Sequence, residues 1–556
     1  MKTLLSTFLL LSAVLIGAAE KPLARVGLMS DTHVTRKPAS CRILKKAMQL
    51  FKTHKVDMII NCGDVADKYW EQAYKNYRNT VKSVYPQNKP KELFAFAWHD
   101  VINVGNWHTG WEKAWPLFKK GLEIEHEPYS KHYLAGFIFL TAPQNTDWQI
   151  YEKMIADACK ETPGKPVFLV DHVPAGNTVY NSGTWGSIRA RKVLNRYPQI
   201  VQISGHVHGT FRNELQIWQG EFTQINVGST GSPWGGSLVG TAPTGSRSDE
   251  ALIMELFKDK FVVRRFDLQN NTEYKKEAPW TFPIPFDPKT APYTAGNRRM
   301  VIPEFAKNST VAIKPDKVPC SSITATFPEA KCPEGTFIYE FTLFRKNTAG
   351  KWESFSTRES FGGFRLPENK RTFNSHTFSA GFFDSGKEYR IRITPRNFLG
   401  QNGKPLYCTF TMPAKADTVL VYESTDPMKD CPFTNGLSGG KRQTAVNGFY
   451  KHNFHDARLE FPQNVWQGPA GTRFRFTIDM HMKQPGKERQ WTLVLRNPKP
   501  LQNANARIAT PQGDSGVQRY VIEISKQEDL FNYYLLVREG LPGEIRFNYV
   551  KIEKLK

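Results

Sequence analysis

The chain has 556 residues, of which 40% are hydrophobic and 23% are charged. This composition excludes a disordered or fibrous protein, and the length exceeds what one core can organise, so we expect two to four domains. The formal net charge is +23, but the basic residues are scattered. That distribution favours a generally basic surface, which suits an anionic substrate, over a dedicated nucleic-acid site.

The chain starts with the pattern of a secretory signal peptide. Met1 and Lys2 lead into an apolar run from Leu4 to Ile16, followed by small residues up to Ala19. This pattern predicts a signal peptide at 1–19 and export to the periplasm or the cell exterior. The run is too short to span a bilayer and no other stretch is apolar enough, so we expect no membrane span.

From residue 25 to about 267, apolar strand-like runs alternate with helix-like segments. Ser40 is a candidate N-cap for a helix with Ile43, Ala47 and Phe51 on one face. Further helices are expected at about 145–160 and 187–197. The expected strands are 24–29, 56–60, 93–97, 137–141, 166–170, 200–204, 222–227, 252–256 and 261–266. The alternation predicts an α/β domain at 20–275.

Acidic and imidazole side chains come just after four of these strands, at 30–33, 63–64, 171–172 and 205–208. The carboxyl ends of parallel strands meet at one edge of a sheet, where ligands tend to bind. Carboxylates and imidazoles gathered at such an edge are typical ligands of Mn, Fe or Zn. The pattern therefore predicts a metal site.

In this order and at these strand ends, the set Asp-x-His, Gly-Asp, His and Gly-His-x-His resembles the calcineurin-like metallophosphoesterases. The resemblance implies an α/β four-layer sandwich, with two mixed β-sheets flanked by helices. It also implies two divalent metal ions, a hydroxide that bridges them, and hydrolysis of a phosphate ester. By the family pattern, one ion would be held by Asp31, His33 and His208, and the other by His172 and His206, with Asp64 bridging both.

The family pattern breaks at 98–100. The family has Asn-His-Asp or Asn-His-Glu after its third strand, whereas this chain has Trp98, His99 and Asp100. An indole offers only an N–H donor and cannot ligate a cation, so we expect the second metal to be weakly held. The resemblance implies that His99 faces the phosphate, and we expect Asp100 to orient its ring.

A second segment resembles the same family motif with one residue inserted. It contains Asn106 and His108 separated by a tryptophan. A shifted Asn106 is therefore an alternative source of the lost metal ligand. We favour His99 over His108 as the phosphate-facing histidine because His99 follows the predicted strand directly.

Beyond the first domain the sequence changes character twice. Proline is dense at 276–306, which indicates a linker or a strap over the first domain. The segment 307–415 loses helical periodicity, and its stretch 386–405 resembles the penultimate strand and turn of a fibronectin type III sandwich, with a generic immunoglobulin-like sandwich as the alternative. The last segment, 416–556, alternates at strand period and resembles the jelly rolls of carbohydrate-binding modules. We expect two C-terminal all-β sandwich domains.

The C-terminal domains suggest a glycan or an envelope polymer as a partner, but no motif identifies it. Trp466, Trp491 and Tyr549 could stack on sugars if they are exposed, although a core position is favoured for each.

Seven cysteines in a chain of this length do not form a disulfide scaffold. The open pairings are Cys320 with Cys332 and Cys408 with Cys431. We expect Cys41 and Cys62, in the first domain, to be buried thiols.

Loops at the metal edge are the expected place for substrate recognition. The candidate residues, each equally compatible with a packing role, are Asn177, Tyr180, Trp185, Arg189 and Trp234. The sequence favours an exported metal-dependent phosphoesterase. The alternative is a binding or scaffold protein that lost activity together with its asparagine and acts through its β domains.

Overall fold

The computed structural model describes residues 20–106, 110–231, 249–365, 371–435, 444–452, 457–462, 464–484, 492–496, 503–509, 513–526, 533–538 and 543–556. The predicted signal peptide, His108, Trp234 and Trp491 lie outside these residues. Among the helices in the described part of the chain, none is long and apolar enough to cross a membrane.

The first domain alternates strands and helices up to residue 226 and ends in antiparallel strands. Its elements are β1 (Ala24–Met29), α1 (Arg42–Thr53), β2 (Met58–Asn61), α2 (Glu71–Val84), β3 (Lys91–Phe94), α3 (Gly110–Gly121), β4 (Ser130–Leu134), β5 (Phe137–Thr141), α4 (Trp148–Glu161), β6 (Val167–Val170), α5 (Ser182–Trp185), α6 (Ile188–Leu194), β7 (Ile200–Ser204), β8 (Ile217–Gln219), β9 (Thr223–Asn226), β10 (Glu250–Leu256), β11 (Lys260–Asp267), β12 (Thr272–Tyr274) and β13 (Trp280–Pro283).

Within the described residues these strands form two mixed sheets. The first has the order β12-β11-β10-β1-β2-β3, with β13 paired to β11, and the second has the order β4-β5-β6-β7-β9-β8. In the first sheet β1, β2 and β3 are parallel, and in the second β5, β6, β7 and β9 are parallel. The parallel strands of each sheet therefore end at one edge.

The two sheets pack face to face with helices on their outer sides. Side chains from both sheets, such as Leu28, Ile60 and Phe168, share one buried core. Helices α1 to α3 cover the first sheet, and α4 and α6 cover the second. Strand β6 is buried along its whole length, as expected for a parallel strand covered on both faces. The predicted α/β four-layer sandwich is confirmed.

The start of α1 differs from the prediction. A short 3-10 turn at Pro38–Cys41 precedes it, and Cys41 occupies the N-cap position without a side-chain hydrogen bond. Ser40 lies inside that turn, where its hydroxyl accepts the Thr35 amide at 2.9 Å. The prediction of Ser40 as the N-cap was wrong because a 3-10 turn that starts at Pro38 includes Ser40 and delays the start of α1 to Arg42.

The proline-rich segment 276–306 lies against the first domain as a strap. The indole of Trp280 is buried and donates to Glu214 Oε2 at 2.9 Å. Arg298 donates to the Glu214 carbonyl at 2.6 Å, and Arg265 pairs with the Glu214 carboxylate at 2.8 Å. Burial alone would raise the pKa of Glu214, but the charges of Arg265 and Lys275 hold it well below its usual range. The bonds from Trp280 and Arg298 fix the strap to the domain, and Arg265 holds the Glu214 side chain in place.

Two all-β domains follow, as predicted. In the described residues the second domain has a three-stranded sheet, β14-β15-β18, and a four-stranded sheet, β17-β16-β19-β20. Its strands are β14 (Ala312–Pro315), β15 (Ser322–Pro328), β16 (Ile338–Lys346), β17 (Trp352–Phe361), β18 (Phe373–Ser379), β19 (Glu388–Arg396) and β20 (Leu406–Thr411). All pairings in both sheets are antiparallel.

Within its described residues, the third domain is a pair of five-stranded antiparallel sheets. One has the order β21-β30-β25-β28 with β23 on β30, and the other has the order β22-β24-β29-β26-β27. The elements are β21 (Thr418–Ser424), α7 (Pro427–Asp430), β22 (Phe433–Asn435), β23 (Tyr450–His452), β24 (Ala457–Leu459), β25 (Arg473–Gln484), β26 (Thr492–Arg496), β27 (Asn503–Ala509), β28 (Gly513–Ser525), β29 (Tyr534–Arg538) and β30 (Gly543–Leu555).

Neither described aromatic residue considered for sugar binding is well exposed. Trp466 is a core residue, as favoured from the sequence, and its indole donates to the Tyr533 carbonyl at 3.0 Å. Tyr549 is half-buried, and its hydroxyl donates to Glu423 Oε1 at 2.6 Å.

The cysteine pairings suggested by spacing are wrong. All seven cysteines lie in the described residues and are free thiols. Cys332 Sγ lies 3.2 Å from Glu334 Oε2, and Cys431 Sγ lies 3.3 Å from the Tyr422 hydroxyl. Cys41 and Cys62 are buried, as predicted, because they face the packed interior beside β1 and β2.

Candidate metal centre

The ends of the parallel strands bring all six predicted ligands to one place between the sheets. Asp31 and His33 follow β1 and Asp64 follows β2 in the first sheet. His172 follows β6 of the second sheet, and His206 and His208 follow β7. The backbone amide of His206 donates to Asp31 Oδ2 at 3.0 Å, which ties the strand ends of the two sheets together.

Five of these six residues have a left-handed backbone. The φ angles of Asp31, His33, Asp64, His206 and His208 lie between +43° and +68°. Non-glycine residues in this region each cost about 1–3 kcal/mol, and such strain clusters at functional sites. The backbone turns sharply after β1, β2 and β7, so that successive side chains point into one space.

Two glycines make these turns possible. Gly63 has φ +97°, and a Cβ there would lie 2.7 Å from Ala97 Cβ and 2.9 Å from His172 Nδ1. A Cβ on Gly205 would overlap the Ser30 hydroxyl and the Asp31 carboxylate. Both positions therefore require glycine so that the ligands can approach one another.

Asp31, His33 and His208 form the first group of potential ligands. Asp31 Oδ1 lies 3.0 Å from His208 Nε2 and 3.9 Å from His33 Nε2. The two imidazole Nε2 atoms are 3.2 Å apart. Asp31 Oδ2 accepts the Ser30 hydroxyl at 2.6 Å. In contrast, Asp31 Oδ1 is one of the buried side-chain atoms that, among the described residues, have no hydrogen bond.

Asp64, His172 and His206 form the second group. His172 Nε2 lies 3.2 Å from Asp64 Oδ2 and 3.1 Å from His206 Nδ1. His172 Nδ1 lies 2.7 Å from the Cys62 carbonyl, which can only accept a hydrogen bond. This contact fixes a proton on Nδ1 and leaves Nε2, which faces Asp64, as the atom that would ligate a metal, the usual support of a metal-binding histidine.

The pKa values of the carboxylates fit cation ligands. Burial alone would raise the pKa of Asp31, but the charges of His208, His172 and His33 hold it well below its usual range. For Asp64 burial acts in the same way, and His172 outweighs it, so the pKa is about 2. Both carboxylates are ionised at neutral pH.

The imidazoles divide into neutral and charged groups. Burial, helped by the charge of His172, lowers the pKa of His206 to about 4, and burial also lowers the pKa of His33. Burial alone would lower the pKa of His172 as well, but the charges of Asp64 and Asp31 raise it to about 9. His172 therefore carries the proton that a cation would displace.

His99 lies beside these groups, but Asp100 does not orient it. The His99 ring stands 4.7 Å from the His33 ring at 85°, and the His99 amide donates to Asp64 Oδ1 at 3.0 Å. His99 Nδ1 lies 2.6 Å from the Asp67 carbonyl. The expected orientation of His99 by Asp100 was therefore wrong, because a backbone carbonyl takes that role.

Asp100 is buried and holds the turn that carries Asp64. Its carboxylate accepts the amides of Val65 at 3.3 Å and Ala66 at 3.1 Å, and the hydroxyl of Tyr74 at 3.1 Å. Three donors surround it, which is the pattern of an ionised group, although burial and the charge of Asp64 raise its pKa to about 8. Asp100 therefore acts on the site through the Asp64 turn.

Trp98 occupies the position where the family pattern has an asparagine. It begins a 3-10 turn after β3, and its amide donates to Gln144 Oε1 at 2.8 Å. The indole is half-buried, with its centroid 6.1 Å from that of Trp111. Asn106 is exposed, and its carbonyl accepts the Gly110 amide where α3 begins. The idea that Asn106 replaces the missing ligand stays a prediction.

One residue at this edge, Asp67, was not predicted from the sequence. Asp67 joins His33 and His99 in a third group whose potential ligand atoms lie within 4.8 Å of one another. Asp67 Oδ1 is 4.0 Å from His33 Nδ1. Its spacing, three residues after Asp64 in the same turn, was the available signal.

The candidate residues for substrate recognition have different surroundings. Trp185 is exposed beside His206, whereas Tyr180 packs against Phe337 of the second domain at a centroid distance of 5.7 Å. Asn177 and Arg189 are exposed. The carbonyl of Asn177 accepts Arg191 Nη1 at 3.2 Å.

A family model described as calcineurin-like phosphoesterase matches residues 24–210. The match contains all six potential ligands and confirms the family resemblance of the first domain. It supports divalent metal ions and a hydrolase that acts on phosphate esters. A comparison with curated proteins found no match.

Several solved structures resemble parts of the chain. A conserved uncharacterized protein from Streptococcus pneumoniae, described as a predicted phosphoesterase, is 12% identical, with 47% of this chain and 97% of that chain covered and a TM-score of 0.22. Purple acid phosphatase PPD1 from yellow lupin (Lupinus luteus) seeds is 14% identical, with coverages of 47% and 53% and a TM-score of 0.34. The CBM22 tandem domain of Xyn10C from Paenibacillus barcinonensis is 9% identical, with coverages of 45% and 92% and a TM-score of 0.18. At TM-scores below 0.5 these likenesses do not bear on function.

Proposed function

We propose that this protein is an exported hydrolase that cleaves a phosphomonoester or a phosphodiester with two divalent metal ions. The observation that carries the proposal is the pair of largely buried groups where the strand ends of the two sheets meet, each with one carboxylate and two imidazoles. The signal-peptide pattern of residues 1–19 supports export.

The residues present fit such ions. Asp31 Oδ1 is buried without a hydrogen bond among the described residues and faces two imidazole nitrogens. Asp31, His33 and His208 would hold one ion, and Asp64, His172 and His206 the other. Oxygen and imidazole donors without thiolate suit Mn, Fe or Zn. When bound, such ions activate the attacking water and neutralise the charge of the phosphate oxygens.

In this proposal His99 assists at the phosphate. Because its Nδ1 lies against the Asp67 carbonyl, the proton of the neutral ring is on Nδ1, and Nε2 is the remaining hydrogen-bonding atom. In the protonated ring Nε2 donates a hydrogen bond to a phosphate oxygen or gives its proton to the departing oxygen. The Asp64 contact to the His99 amide keeps this ring beside the ligands.

The C-terminal sandwiches belong to the same proposal as tethering domains. We propose that they bind a glycan or an envelope polymer. Such binding would hold an exported hydrolase near its substrate. Trp466, being buried, takes no part in such a contact.

The direct test is hydrolysis of aryl phosphate monoesters and diesters with added Mn²⁺. Wild type should turn over at least one class, and Asp64→Ala and His206→Ala should each lower kcat at least a hundredfold. His481→Ala is a matched control, because His481 pairs with Asp514 in the third domain and belongs to none of the groups of potential ligands.

The contrary result favours the scaffold alternative. No turnover by wild type at any metal concentration, or equal turnover by wild type and both site variants, would contradict the proposal. The substitution of Trp98 for asparagine is the feature that keeps this alternative in view.

A further inference from the structure

We propose that Trp185 recognises the leaving group of the substrate by stacking, so that the preferred phosphate esters carry a ring with a flat apolar face. This inference rests on the proposed function and names the class of ester that the site prefers. Aromatic and sugar rings share the required chemistry, since both present a flat face to an indole.

Trp185 lies beside the second group of potential ligands. The centroid of its ring is 6.1 Å from that of His206, and the two rings are nearly perpendicular at 78°. His206 belongs to the second group of potential ligands, so a phosphate held there would have the indole beside it. The side chain is nevertheless 42% exposed. The indole therefore presents open apolar surface beside the potential ligands.

The backbone around Trp185 is fixed before any ligand arrives. Trp185 ends the short helix α5, and its amide donates to the Asn181 carbonyl at 3.0 Å. The buried Ser182 hydroxyl donates to the Val179 carbonyl at 2.6 Å and accepts the Thr178 amide at 2.8 Å. These bonds fix the start of the helix.

The residues that follow Trp185 are equally constrained. The Gly186 amide donates to the Ser182 carbonyl at 2.8 Å, and Ser187 pairs with Pro174 and Gly176. A Cβ on Gly186 would lie 2.8 Å from Gly176 Cα, so the two segments are in close contact. A rigid aromatic side chain binds with little loss of conformational entropy, which makes Trp185 a preorganised platform.

Recognition of a ring by Trp185 and a purely structural role of Trp185 predict different effects of its removal on substrate preference. If the indole only shields His206, its removal lowers activity on all esters by the same factor. If it stacks on the leaving group, removal lowers activity on ring-bearing esters alone. A stacking contact of ordinary strength corresponds to about a tenfold effect.

The test compares benzyl phosphate with butyl phosphate, and the corresponding diesters, at saturating Mn²⁺. Trp185→Ala should lower the benzyl-to-butyl ratio of kcat/KM about tenfold, and Trp185→Phe should restore most of that ratio. Trp352→Ala, which removes a half-buried indole from the second domain, should leave it unchanged. Adenosine 5′-monophosphate and glucose 6-phosphate distinguish an aromatic base from a sugar ring, and a Trp185-dependent preference for either supports the proposal.

A ratio that is unchanged in Trp185→Ala overturns the inference. If wild type hydrolyses no ester, the proposed function fails, and binding decides the role of Trp185 separately. Calorimetric titration with benzylphosphonate and butylphosphonate should then show an approximately tenfold loss in Trp185→Ala for the benzyl compound only. An equal loss for both phosphonates overturns the inference in that case too.

Discussion

Proton occupancy determines how strongly each side chain at the sheet edge can bind a cation. A protonated imidazole has no lone pair on the nitrogen that faces the metal. His206, with a pKa of about 4, is neutral across the physiological range. His172, with a pKa of about 9, is not. The two histidines of the second group therefore differ in what a metal must displace.

Metal binding to the second group should release protons in a predictable pH window. Below pH 9 the metal-free His172 keeps its proton because Asp64 and Asp31 stabilise the charge. Metal affinity should therefore rise as the pH increases toward 9, with about one proton released per ion at pH 7 and fewer above pH 9. Calorimetry of Mn²⁺ binding in buffers of different ionisation enthalpy measures this release. Equal affinity at pH 6.5 and pH 8.5 would contradict the assignment.

Trp98 should limit the retention of the second ion. Wild type should keep about one tightly bound equivalent after dialysis, because the indole contributes no ligand. Trp98→Asn should move the content toward two equivalents by supplying an amide oxygen. Trp98→Phe is the control, since it keeps aromatic packing against Trp111 without adding a ligand. Elemental analysis after dialysis gives the stoichiometry, and two retained equivalents in wild type would refute the idea.

The roles of some site residues could be predicted from the sequence, and those of others could not. Asp31 and His208 follow apolar runs in a family order, so their convergence was predictable from strand ends alone. The role of Asp100 was not, because its partners Val65, Ala66 and Tyr74 come from other segments and depend on the path of the turn. Asp67 was not predicted either, because its neighbours His33 and His99 come from other segments of the chain.

At the scale of elements, the turn after β2 is the most constrained part of the site. Gly63 combines a φ of +97° with close approach to Ala97 and His172. Gly164 has a φ of +76°, but a Cβ added there would meet nothing within 4 Å. Comparing the two glycines separates backbone strain from steric overlap.

Gly63→Ala should be far more damaging than Gly164→Ala. The Gly164 variant incurs only the cost of the left-handed conformation, about 1 kcal/mol. The Gly63 variant adds a clash that displaces His172, so we expect a further loss of about 1–3 kcal/mol and a marked drop in metal content. Urea unfolding and elemental analysis measure the two effects. Similar losses in both variants would show that the turn can relax.

The sequence predicted the long apolar strands and missed elements of mixed character. Strands β5 and β7 were predicted with their observed bounds because all their residues are buried. Helices α2 and α3 were not predicted, since α2 buries polar residues such as Asn76 and Arg78 and α3 contains Pro116. Tertiary contacts stabilise these helices more than their local pattern does.

At the scale of the whole molecule, the second domain contacts the loop that follows β6. Phe337, Ile338, Phe364 and Phe398 form a buried cluster that also includes the partly buried Tyr180, Leu215 and Met300. Tyr180 lies five residues before Trp185 on the same loop. The segment that carries Trp185 beside the potential metal ligands therefore also packs against the second domain.

Phe337→Ala should loosen this loop as well as lower stability. Removing the buried ring costs about 3–5 kcal/mol, and it leaves Tyr180 without the ring at 5.7 Å. Hydrogen exchange of residues 176–187 should accelerate. Phe355→Ala is the matched control, since Phe355 is equally buried in the core of the second domain and belongs to a different cluster. Equal exchange in both variants would argue against the coupling.

The order of the domains was readable from composition, but their contacts were not. Each core has its own periodicity, so the change from α/β to all-β is visible in the chain. The Tyr180–Phe337 contact joins residues that are far apart in sequence, and neither carries a local signal. Interfaces of this kind depend on the three-dimensional path of both domains.

The left-handed turns at the sheet edge have a consequence for the life of the protein before it binds metal. Five strained residues at about 1–3 kcal/mol each amount to a sum comparable with the net stability of a typical domain. In the metal-free chain this edge would therefore be a part that opens readily. Bound ions would stabilise the strained turns and make this opening less frequent.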